Sequence, residues 1–355
     1  MSSFSESLIA WFQVNARELP WRQTRDPYRI WISEVILQQT RVAQGTAYYH
    51  RFLERFPNLS DLAFAAEEDV LSLWQGLGYY SRARNLHAAA KFVQAERNGD
   101  FPSNFKELLA MKGVGTYTAA AIAAFAYGEN VPVVDGNVMR VFCRYFGIHE
   151  DVRLPATMVL VRSYAAQLLP TGRSWDFNQA IMELGALVCT PSSPLCASCP
   201  VALDCFSRKN ALQAKLPFKS KAKSKRIRHF NYLLLEHDGF FAFKRRGEGD
   251  IWEGLFEPIL SESNKPFSSP GDFDFLNPAD SNFRIETFLL PSEKHILTHQ
   301  ELHINVCVCR LSKRHEEEGL RWVSGTQLSD LPKPVIFSKI ISKARSSPLY
   351  LVFHQ

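Results

Sequence analysis

The spacing of apolar residues divides the chain into a helical first part and a mixed second part. In SLIAWFQV, EDVLSLWQGL and RNLHAAAKFVQAE, apolar residues recur every three or four positions, which is the period of one face of an α-helix. Proline and glycine fall between these runs, as in RFPNL and GDFPSN, where they end helices. The pattern therefore predicts an all-α domain over residues 1–206.

From about Phe230 the apolar residues alternate with polar ones, which is the period of a β-strand. NYLLLEHDGFFAFKRR predicts two strands joined by an Asp-Gly turn, and ELHINVCVCRL predicts another strand. KPVIFSKIISKA predicts a closing helix, and residues 261–282, rich in Ser, Pro, Asn and Asp, predict a long loop. The second domain, over residues 229–355, is therefore expected to be α+β.

The two domains are joined by a basic segment. Residues 207–228 contain nine Lys or Arg and no Asp or Glu, and we predict an exposed linker there. It is either a solvated tether or a segment that adds attraction for phosphates between two DNA-binding domains. The net charge of +5 over the whole chain is compatible with nucleic-acid binding but does not establish it.

Length and composition exclude several classes of protein. A chain of 355 residues with 46% hydrophobic content can bury about two domain cores. We find neither a signal peptide nor an apolar run long enough to span a membrane, and we expect a cytoplasmic protein. Seven cysteines in such a chain favour metal binding or catalysis over a disulfide framework.

Four of the cysteines lie close together in CTPSSPLCASCPVALDC, between residues 189 and 205. Four thiolates with the spacing C-x6-C-x2-C-x5-C can surround one compact inorganic core. Structural zinc sites usually carry two C-x2-C pairs separated by a longer span, so the spacing favours a single 4Fe–4S cluster. A zinc knuckle or four unligated thiols are the alternatives. The predicted ligands are Cys189, Cys196, Cys199 and Cys205.

This cluster is expected to be structural, because it lies far in the sequence from the candidate carboxylates and no pattern of substrate ligands accompanies it. It would hold a loop that presents Arg208 and Lys209 to DNA. Cys307 and Cys309 would face one side of a strand, where packing is a sufficient role.

A phosphate-binding hairpin is predicted at about residues 108–126, in LLAMKGVGTYTAAAIAAFAY. Two helices flank a tight turn whose glycines permit positive φ and the close approach of another backbone. The turn and the start of the second helix expose N–H groups that suit a phosphate oxygen. A plain helical hairpin is the alternative. The candidate phosphate-binding residues are Lys112, Gly113, Val114 and Gly115.

These motifs together carry a resemblance. The order of the hairpin, the PVVD segment and the cysteine cluster resembles the endonuclease III superfamily of DNA glycosylases. LPWR, WISEVILQQT, GLGYYSRARNL, KGVGTYTA, VVDGNVMRV and FNQAIMELG resemble the adenine DNA glycosylase (MutY-type) branch of it. The likeness runs from about residue 8 to 206 and resumes more weakly in the second domain. It implies a helix-hairpin-helix fold with a cluster loop, followed by a Nudix-like domain.

Two carboxylates suit the cleavage of an N-glycosidic bond. Glu34 lies in IWISEVIL, and a helix that is apolar on nearly every side is buried, which should raise the pKa of its carboxyl. Asp135 is predicted to cap the next helix, where N–H groups should keep it ionised. Glu34 would then donate a proton to adenine while Asp135 stabilises the cationic sugar. The residues alone leave open a solvent-facing Glu34 and a purely capping Asp135.

The resemblance implies further site residues. Tyr117 and Asn137 would orient the two carboxylates. The bifunctional endonuclease III branch carries a nucleophilic Lys where this chain has Tyr117, so we expect a monofunctional enzyme with little strand cleavage. Trp21 and Arg22 would form part of the adenine pocket, although a core Trp and a surface Arg are the alternative. The residues expected around the opposite base are Gln39, Thr40, Leu77, Gly78 and Tyr79.

The second domain is implied to recognise 8-oxoguanine opposite the adenine. It lacks the Nudix hydrolase signature, so we expect no nucleotide hydrolysis. HILTHQ matches the family's His-x-x-Phe-Ser-His reading loop, with Leu297 and Thr298 in place of Phe and Ser. Thr298 keeps a hydroxyl group for the modified guanine, and His299 follows it in the loop. His295 and His299 are ordinary loop histidines in the alternative interpretation.

The predicted function is hydrolysis of adenine mispaired with 8-oxoguanine or guanine in double-stranded DNA, by a monomer associated with a bacterial nucleoid. An endonuclease III-like or thymine-mismatch glycosylase is the first alternative. Glu34, Tyr117 and the second domain argue against it. The second alternative is a non-catalytic DNA-binding protein with a structural cluster.

Overall fold

The computed structural model describes residues 3–221, 224–268, 272 and 284–346. The chain forms two compact units, of which the first comprises Met1–Phe64 and Asn85–Ala222 and the second comprises Ala65–Arg84 and Lys223–Gln355. Each unit buries its own apolar residues. The first is helical and the second contains a mixed sheet, so the predicted fold classes are confirmed.

The first 209 residues are almost wholly helical, as the apolar spacing predicts. Short 3-10 turns occur at Pro20–Arg22, Cys196–Ser198 and Ala202–Asp204. No helix in the described ranges has the length and apolar character needed to cross a membrane. The α-helices are α1 (Phe4–Asn15), α2 (Pro27–Leu37), α3 (Val42–Arg55), α4 (Leu59–Phe64), α5 (Glu67–Leu73), α6 (Tyr80–Glu96), α7 (Phe105–Leu109), α8 (Thr116–Tyr127), α9 (Gly136–Phe146), α10 (Pro155–Leu168), α11 (Ser174–Leu187) and α12 (Phe206–Lys209).

Helix α2 is buried on nearly all sides. Asp26 caps it by accepting hydrogen bonds from the N–H groups of Tyr28 and Arg29, and Pro27 occupies the first helical position, where no N–H partner is needed. Every residue from Ile30 to Ile36 is buried, and the helix packs against α8. Helix α2 has apolar residues on nearly every side and lies in the interior of the first unit, as predicted.

The predicted helical hairpin is formed by α7, a tight turn and α8. Gly113 lies in the turn with φ of 75°, and a Cβ atom there would meet the Cβ of Asn85 at 2.4 Å. Only glycine satisfies both the left-handed backbone and this close approach. Gly115 caps α8 without a side chain, which leaves the first N–H groups of α8 available to a ligand.

The second unit is built on one mixed sheet. The strand order is β3-β2-β1-β7-β5, while β4 pairs with β1, β6 with β7 and β8 with β2. Strands β1 and β7 run parallel, and the other pairs are antiparallel. The elements are β1 (Arg226–His237), β2 (Phe240–Arg245), β3 (Phe256–Glu257), β4 (Ile259–Ser263), β5 (Arg284–Leu289), β6 (Glu293–Ile296), β7 (Gln300–Leu311), β8 (Leu320–Ser324) and α13 (Val335–Ser346).

Three local predictions for this unit are confirmed. The Asp238-Gly239 turn joins β1 to β2, and both residues have positive φ, as a tight hairpin requires. Cys307 and Cys309 are buried on one face of β7, in a cluster with Leu233 and Leu235. The closing helix is α13. The predicted loop at 261–282 begins in strand β4, and most of the remainder lies outside the described residues.

The second unit also contains residues 65–84, which the apolar pattern assigned to the helical domain. Within this unit Glu67 pairs with Arg245 at 2.7 Å and Glu68 pairs with Arg321 at 2.9 Å. Hydrophobic periodicity predicted α5 as a helix, but periodicity carries no information about which core a helix joins. The assignment depends on contacts between residues distant in sequence, so the sequence could not supply it.

The basic segment differs in part from the exposed linker expected there. Its first residues form α12, in which Ser207 is fully buried, and Leu216 is only 2% exposed. The carbonyl group of Phe218 accepts a hydrogen bond from the N–H of Val152 at 3.1 Å. Leu216 explains part of this difference, because its apolar side chain is buried while the neighbouring Lys215 and Lys219 are exposed.

The packing of α11 against the start of α9 gives a test of the fold. A Cβ atom on Gly185 would lie 2.6 Å from the Cβ of Asn137 and 3.1 Å from its carbonyl oxygen. We expect Gly185→Ala to lower the free energy of unfolding by about 1–3 kcal/mol, because this contact cannot widen without moving a helix. Gly136→Ala, with no atom within 4 Å, is the matched control. Urea denaturation measures both, and equal stability would contradict the close packing.

Candidate active site

A buried carboxyl group and a phenol form the centre of the site. Glu34 projects from α2 and is 5% exposed, and the hydroxyl group of Tyr117, at the start of α8, donates to its Oε2 at 2.6 Å. Burial raises the pKa of Glu34 to about 7, although the hydrogen bond from Tyr117 lowers it and the charge of Asp135 raises it further. Glu34 can therefore hold a proton near neutral pH, as its sequence context predicts.

Asp135 is the N-cap of α9, as predicted. Its Oδ1 accepts from the N–H groups of Asn137 and Val138 at 2.9 and 2.8 Å, and its Oδ2 accepts from the amide of Asn137 at 2.8 Å. Burial nevertheless raises the pKa of Asp135 above its ordinary value, because the loss of solvent outweighs these bonds. The expectation that capping alone sets its charge state is therefore incomplete.

Both carboxyl groups line one cavity of about 1020 Å³ in the first unit. This volume exceeds that of a typical small-molecule pocket, so it can admit a nucleotide together with part of its backbone. Tyr117 lines the same cavity, and so do several other residues singled out from the sequence. These are Trp21, Arg22, Gln39, Thr40 and Asn137.

A network of charged side chains holds Arg22 in the wall of this cavity. Its guanidinium donates to Oε1 of Gln179 at 2.7 Å and to Oε2 of Glu183 at 2.9 Å. Arg17 donates to both oxygens of Glu183, at 2.8 and 2.7 Å. Burial alone would raise the pKa of Glu183, but the bonds from Arg17 and Arg22 lower it to about 2. Arg22 is thus a fixed, mostly buried cation, whereas Trp21 packs edge-on against Tyr49.

Sequence reasoning missed Arg17, Gln179 and Glu183, and it also missed Arg140. Arg140 donates from Nη2 to Oδ1 of Asn137 at 2.8 Å and from Nε to the carbonyl group of Cys189 at 2.7 Å. It therefore joins the site to the cysteine loop. The signal for Gln179, Glu183 and Arg140 was their position in FNQAIMELG and VVDGNVMRV, whereas Arg17 lies outside the motifs used for the family resemblance.

The four clustered cysteines line one small cavity in the first unit, as predicted. Burial raises the pKa of Cys199 to about 11, and its thiol also interacts with those of Cys189, Cys205 and Cys196. Among the described residues, no group of three or more His, Cys, Asp or Glu side chains is arranged to hold a single metal ion.

The hairpin residues lie apart from the cavity. Lys112 is exposed and Val114 is buried in the turn between α7 and α8, and neither they nor Gly113 and Gly115 line the catalytic cavity. The N–H of Val114 donates to the carbonyl group of Met111 at 3.1 Å, so the exposed Gly113 and Gly115, and not Val114, can offer an N–H to a phosphate group.

A separate pocket of about 470 Å³ lies within the second unit. Its lining includes the predicted opposite-base residues Leu77, Gly78 and Tyr79 together with Thr298 and His299 of the reading loop. The hydroxyl groups of Tyr79 and Thr298 form a hydrogen bond. Thr298 and His299 are both exposed. The structure thus brings together two segments that are more than 200 residues apart in the sequence.

The reading loop is a tight turn in which the N–H of Leu297 donates to the carbonyl group of Gln300 at 2.9 Å. Leu297 packs against the core of the second unit, so its side chain is not free to stack on a base. The ring of His295 lies 5.7 Å from that of Trp252, which agrees with a packing role. In this turn the hydroxyl group of Thr298 remains the polar group best placed in the pocket.

The buried acid predicts an unusual dependence of stability on pH. Because the pKa of Glu34 rises from 4.5 to about 7 on folding, the folded state binds this proton more tightly, and stability falls as pH rises between those values. Glu34→Gln should therefore be more stable than the wild type above about pH 7, by on the order of 3 kcal/mol, with no such gain near pH 4. Urea denaturation across this range measures the effect. Exposed Glu18→Gln is the control, and parallel curves for wild type and Glu34→Gln would refute the raised pKa.

Comparison with known proteins agrees with this arrangement. A family model described as HhH-GPD superfamily base excision DNA repair protein matches residues 32–162, and a NUDIX domain model matches residues 231–343. A solved structure of a thermostable thymine-DNA glycosylase is 29% identical, with a TM-score of 0.53, over 58% of this chain and 95% of that one.

Curated relatives make the relationship more specific. An adenine DNA glycosylase of Buchnera aphidicola (subspecies Schizaphis graminum) is 32% identical over 340 residues, which cover 94% of this chain and 96% of the relative. The human adenine DNA glycosylase is 44% identical over 225 residues, covering 61% of this chain and 41% of the human protein. The chain therefore belongs to the adenine DNA glycosylase family of base excision repair enzymes.

Proposed function

We propose that this protein hydrolyses the N-glycosidic bond of adenine mispaired with 8-oxoguanine or guanine in double-stranded DNA. The observation that carries the proposal is the placement of Glu34, with a pKa of about 7, and Asp135 in one cavity. Cleavage of this bond requires a proton on the departing purine and a negative group beside the sugar. Two carboxyl groups with different hydrogen-bond partners meet these two demands.

Glu34 acts as the general acid. Its proton passes to N7 of adenine as the bond between C1′ and N9 breaks, and the bonding electrons leave with the base. The hydroxyl group of Tyr117 donates to Oε2 of Glu34, so it orients the carboxyl group and stabilises the carboxylate that remains. Water then supplies the oxygen that bonds to C1′, and its proton returns to Glu34. Adenine and a baseless sugar are the products.

Asp135 stabilises the positive charge that develops on the sugar. Three N–H groups from Asn137 and Val138 hold its carboxylate in one orientation, which costs no reorganisation during the reaction. Asn137 is thus a positioning residue. The carboxylate can also bond transiently to C1′ before water displaces it, which is the retaining route of two-carboxylate enzymes.

We infer a monofunctional enzyme. Schiff-base chemistry needs an amine nucleophile beside the reacting carbon. The one lysine among the described residues that line the cavity, Lys219, is exposed and lies in the basic segment, far along the chain from the hairpin position where the bifunctional branch carries its nucleophile. The position expected to carry the nucleophile is Tyr117, whose pKa is raised well above its usual value by burial, so its phenol stays protonated and serves as a hydrogen-bond donor.

We assign adenine recognition to the first cavity and recognition of the opposite base to the second unit. Trp21 and the fixed guanidinium of Arg22 supply an apolar wall and a cation at the adenine site. In the second unit Thr298 and Tyr79 offer hydroxyl groups to 8-oxoguanine, beside Leu77, Gly78 and His299. Gln39 and Thr40, at the end of α2, would contact the helix stack near the extruded base.

The hairpin and the cysteine loop complete the proposed DNA interface. Lys112 and the N–H groups of Gly113 and Gly115 would bind a backbone phosphate, while Val114 holds the turn through its own N–H. The ligands Cys189, Cys196, Cys199 and Cys205 would hold one 4Fe–4S cluster, whose contribution is to fix the loop that carries Arg208 and Lys209. We expect the protein to act as a monomer on DNA in the bacterial cytoplasm.

Replacement of the acid tests the proposed mechanism. We expect Glu34→Gln to slow adenine release by about 10²–10⁴-fold, because the amide cannot donate the proton, while the Kd for duplex DNA stays the same. Single-turnover excision and a binding titration on one duplex measure these two quantities. Glu18→Gln should leave both unchanged. Unchanged release in the Glu34 variant would remove this residue from the mechanism.

A panel of mismatches tests the substrate assignment, because the structural likeness to a thymine-DNA glycosylase makes thymine the alternative base. We expect the wild type to release adenine opposite 8-oxoguanine and opposite guanine. It should leave thymine opposite guanine and thymine glycol intact. Excision rates on the four duplexes decide the matter, and action on the pyrimidine substrates alone would overturn the assignment.

A further inference from the structure

An arginine lies in the interior of the first unit beside the four cysteines. Arg144, on α9, is only 2% exposed. Its guanidinium donates to the carbonyl groups of Leu216, Thr190 and Pro191 at 2.9, 2.7 and 2.8 Å, and it contacts Sγ of Cys189 at 3.4 Å. Its N–H groups are therefore well bonded, but carbonyl dipoles do not neutralise a full charge.

Arg144 differs from the other buried arginines in having no ion-pair partner among the described residues. The two others that are buried there, Arg228 and Arg310, each have a carboxylate within 3 Å. For Arg144 no carboxylate within ion-pair distance is found in the described part of the chain. Arg140, on the same helix, is a second cation, and it donates to the carbonyl group of Cys189 at 2.7 Å. An arginine that is buried without a carboxylate is costly in an apolar interior.

The thiols of the cysteine loop can supply the missing negative charge. Four thiolates outweigh the positive core of a 4Fe–4S cluster, so the bound group is an anion. Arg144 reaches it through Cys189, and on the solvent side Nε2 of Gln213 lies 3.8 Å from Sγ of Cys196. Both nitrogen groups line the cysteine cavity. The residues around the cavity therefore fit an anionic occupant.

We propose that Arg144 is the counter-charge of the proposed cluster, and that Arg144 and Gln213 set its affinity and reduction potential through N–H···S contacts. The inference rests on the cluster assigned under the proposed function. Cations and sulfur-directed donors stabilise the more negative of two oxidation states, so they raise the reduction potential. They also lower the cost of burying an anion, so they slow loss of the cluster.

Three variants of the full chain, purified without oxygen, test this role. Arg144→Met removes the charge and the donors, Arg144→Lys keeps the charge but not the fork of N–H groups, and Gln213→Met removes a donor at a half-buried position. Arg153→Met, an exposed arginine of the same unit, is the matched control. The measurements are the iron content per chain, the rate of iron loss to a chelator and the midpoint potential. The potential is measured at an electrode, which supplies the one electron of the reduction, and no bond is formed or broken.

We expect Arg144→Met to lose iron roughly 10-fold faster than the wild type and to have a lower midpoint potential. Arg144→Lys should be intermediate, Gln213→Met should lower the potential and speed iron loss to a smaller extent than Arg144→Met, and Arg153→Met should match the wild type. Wild-type rates and potentials in both Arg144 variants would overturn the proposal. If Arg144→Met does not fold, the rate of iron loss and the midpoint potential of Arg144→Lys test the proposal, and wild-type values for both would overturn it. A wild type that binds no iron would instead refute the cluster itself.

Discussion

The proposed chemistry depends on keeping one carboxyl group in an apolar interior. Helix α2 is buried on almost every side, so Glu34 is largely withdrawn from solvent and its pKa is raised to about 7. An unpartnered group at this depth would be costly, and the hydroxyl group of Tyr117 is its hydrogen-bond partner among the described residues. Because that hydroxyl comes from α8, the packing of α2 on α8 is what makes a buried acid tolerable.

The second carboxyl group shows how the same interior can produce a different acid. Burial raises the pKa of Asp135 as it raises that of Glu34, so depth alone does not separate their roles. The difference lies in the hydrogen bonds, since Asp135 accepts three and Glu34 accepts one. Each bond favours the ionised form, so the capped residue gives up its proton more readily. The hydrogen bonds of the helix cap therefore suit Asp135 to the role of the anion in the proposed mechanism.

What the sequence revealed was local. Helices, the cap at Asp135, the glycine turn at Gly113 and the Asp-Gly hairpin each follow from a few neighbouring residues, and the structure contains all of them. The ion-pair network around Glu183 was not predictable, because Arg17 lies 166 residues away and no periodicity encodes the pairing. The assignment of α5 to the second unit was not predictable for the same reason, because it depends on contacts between residues that are distant in sequence.

One helix explains why a cysteine loop distant in sequence belongs to the site. Asn137, Arg140 and Arg144 are spaced three and four residues apart, so they share one face of α9. Asn137 donates to Asp135, and Arg140 donates to the carbonyl group of Cys189. Arg144 contacts the sulfur of the same cysteine. Helix α9 carries the Asp135 carboxylate at its N-cap and contacts the cysteine loop along its side. The same helix therefore fixes the position of the carboxylate and that of the loop. The position of the proposed anion is therefore tied to the order of the cysteine loop through Asn137 and Arg140.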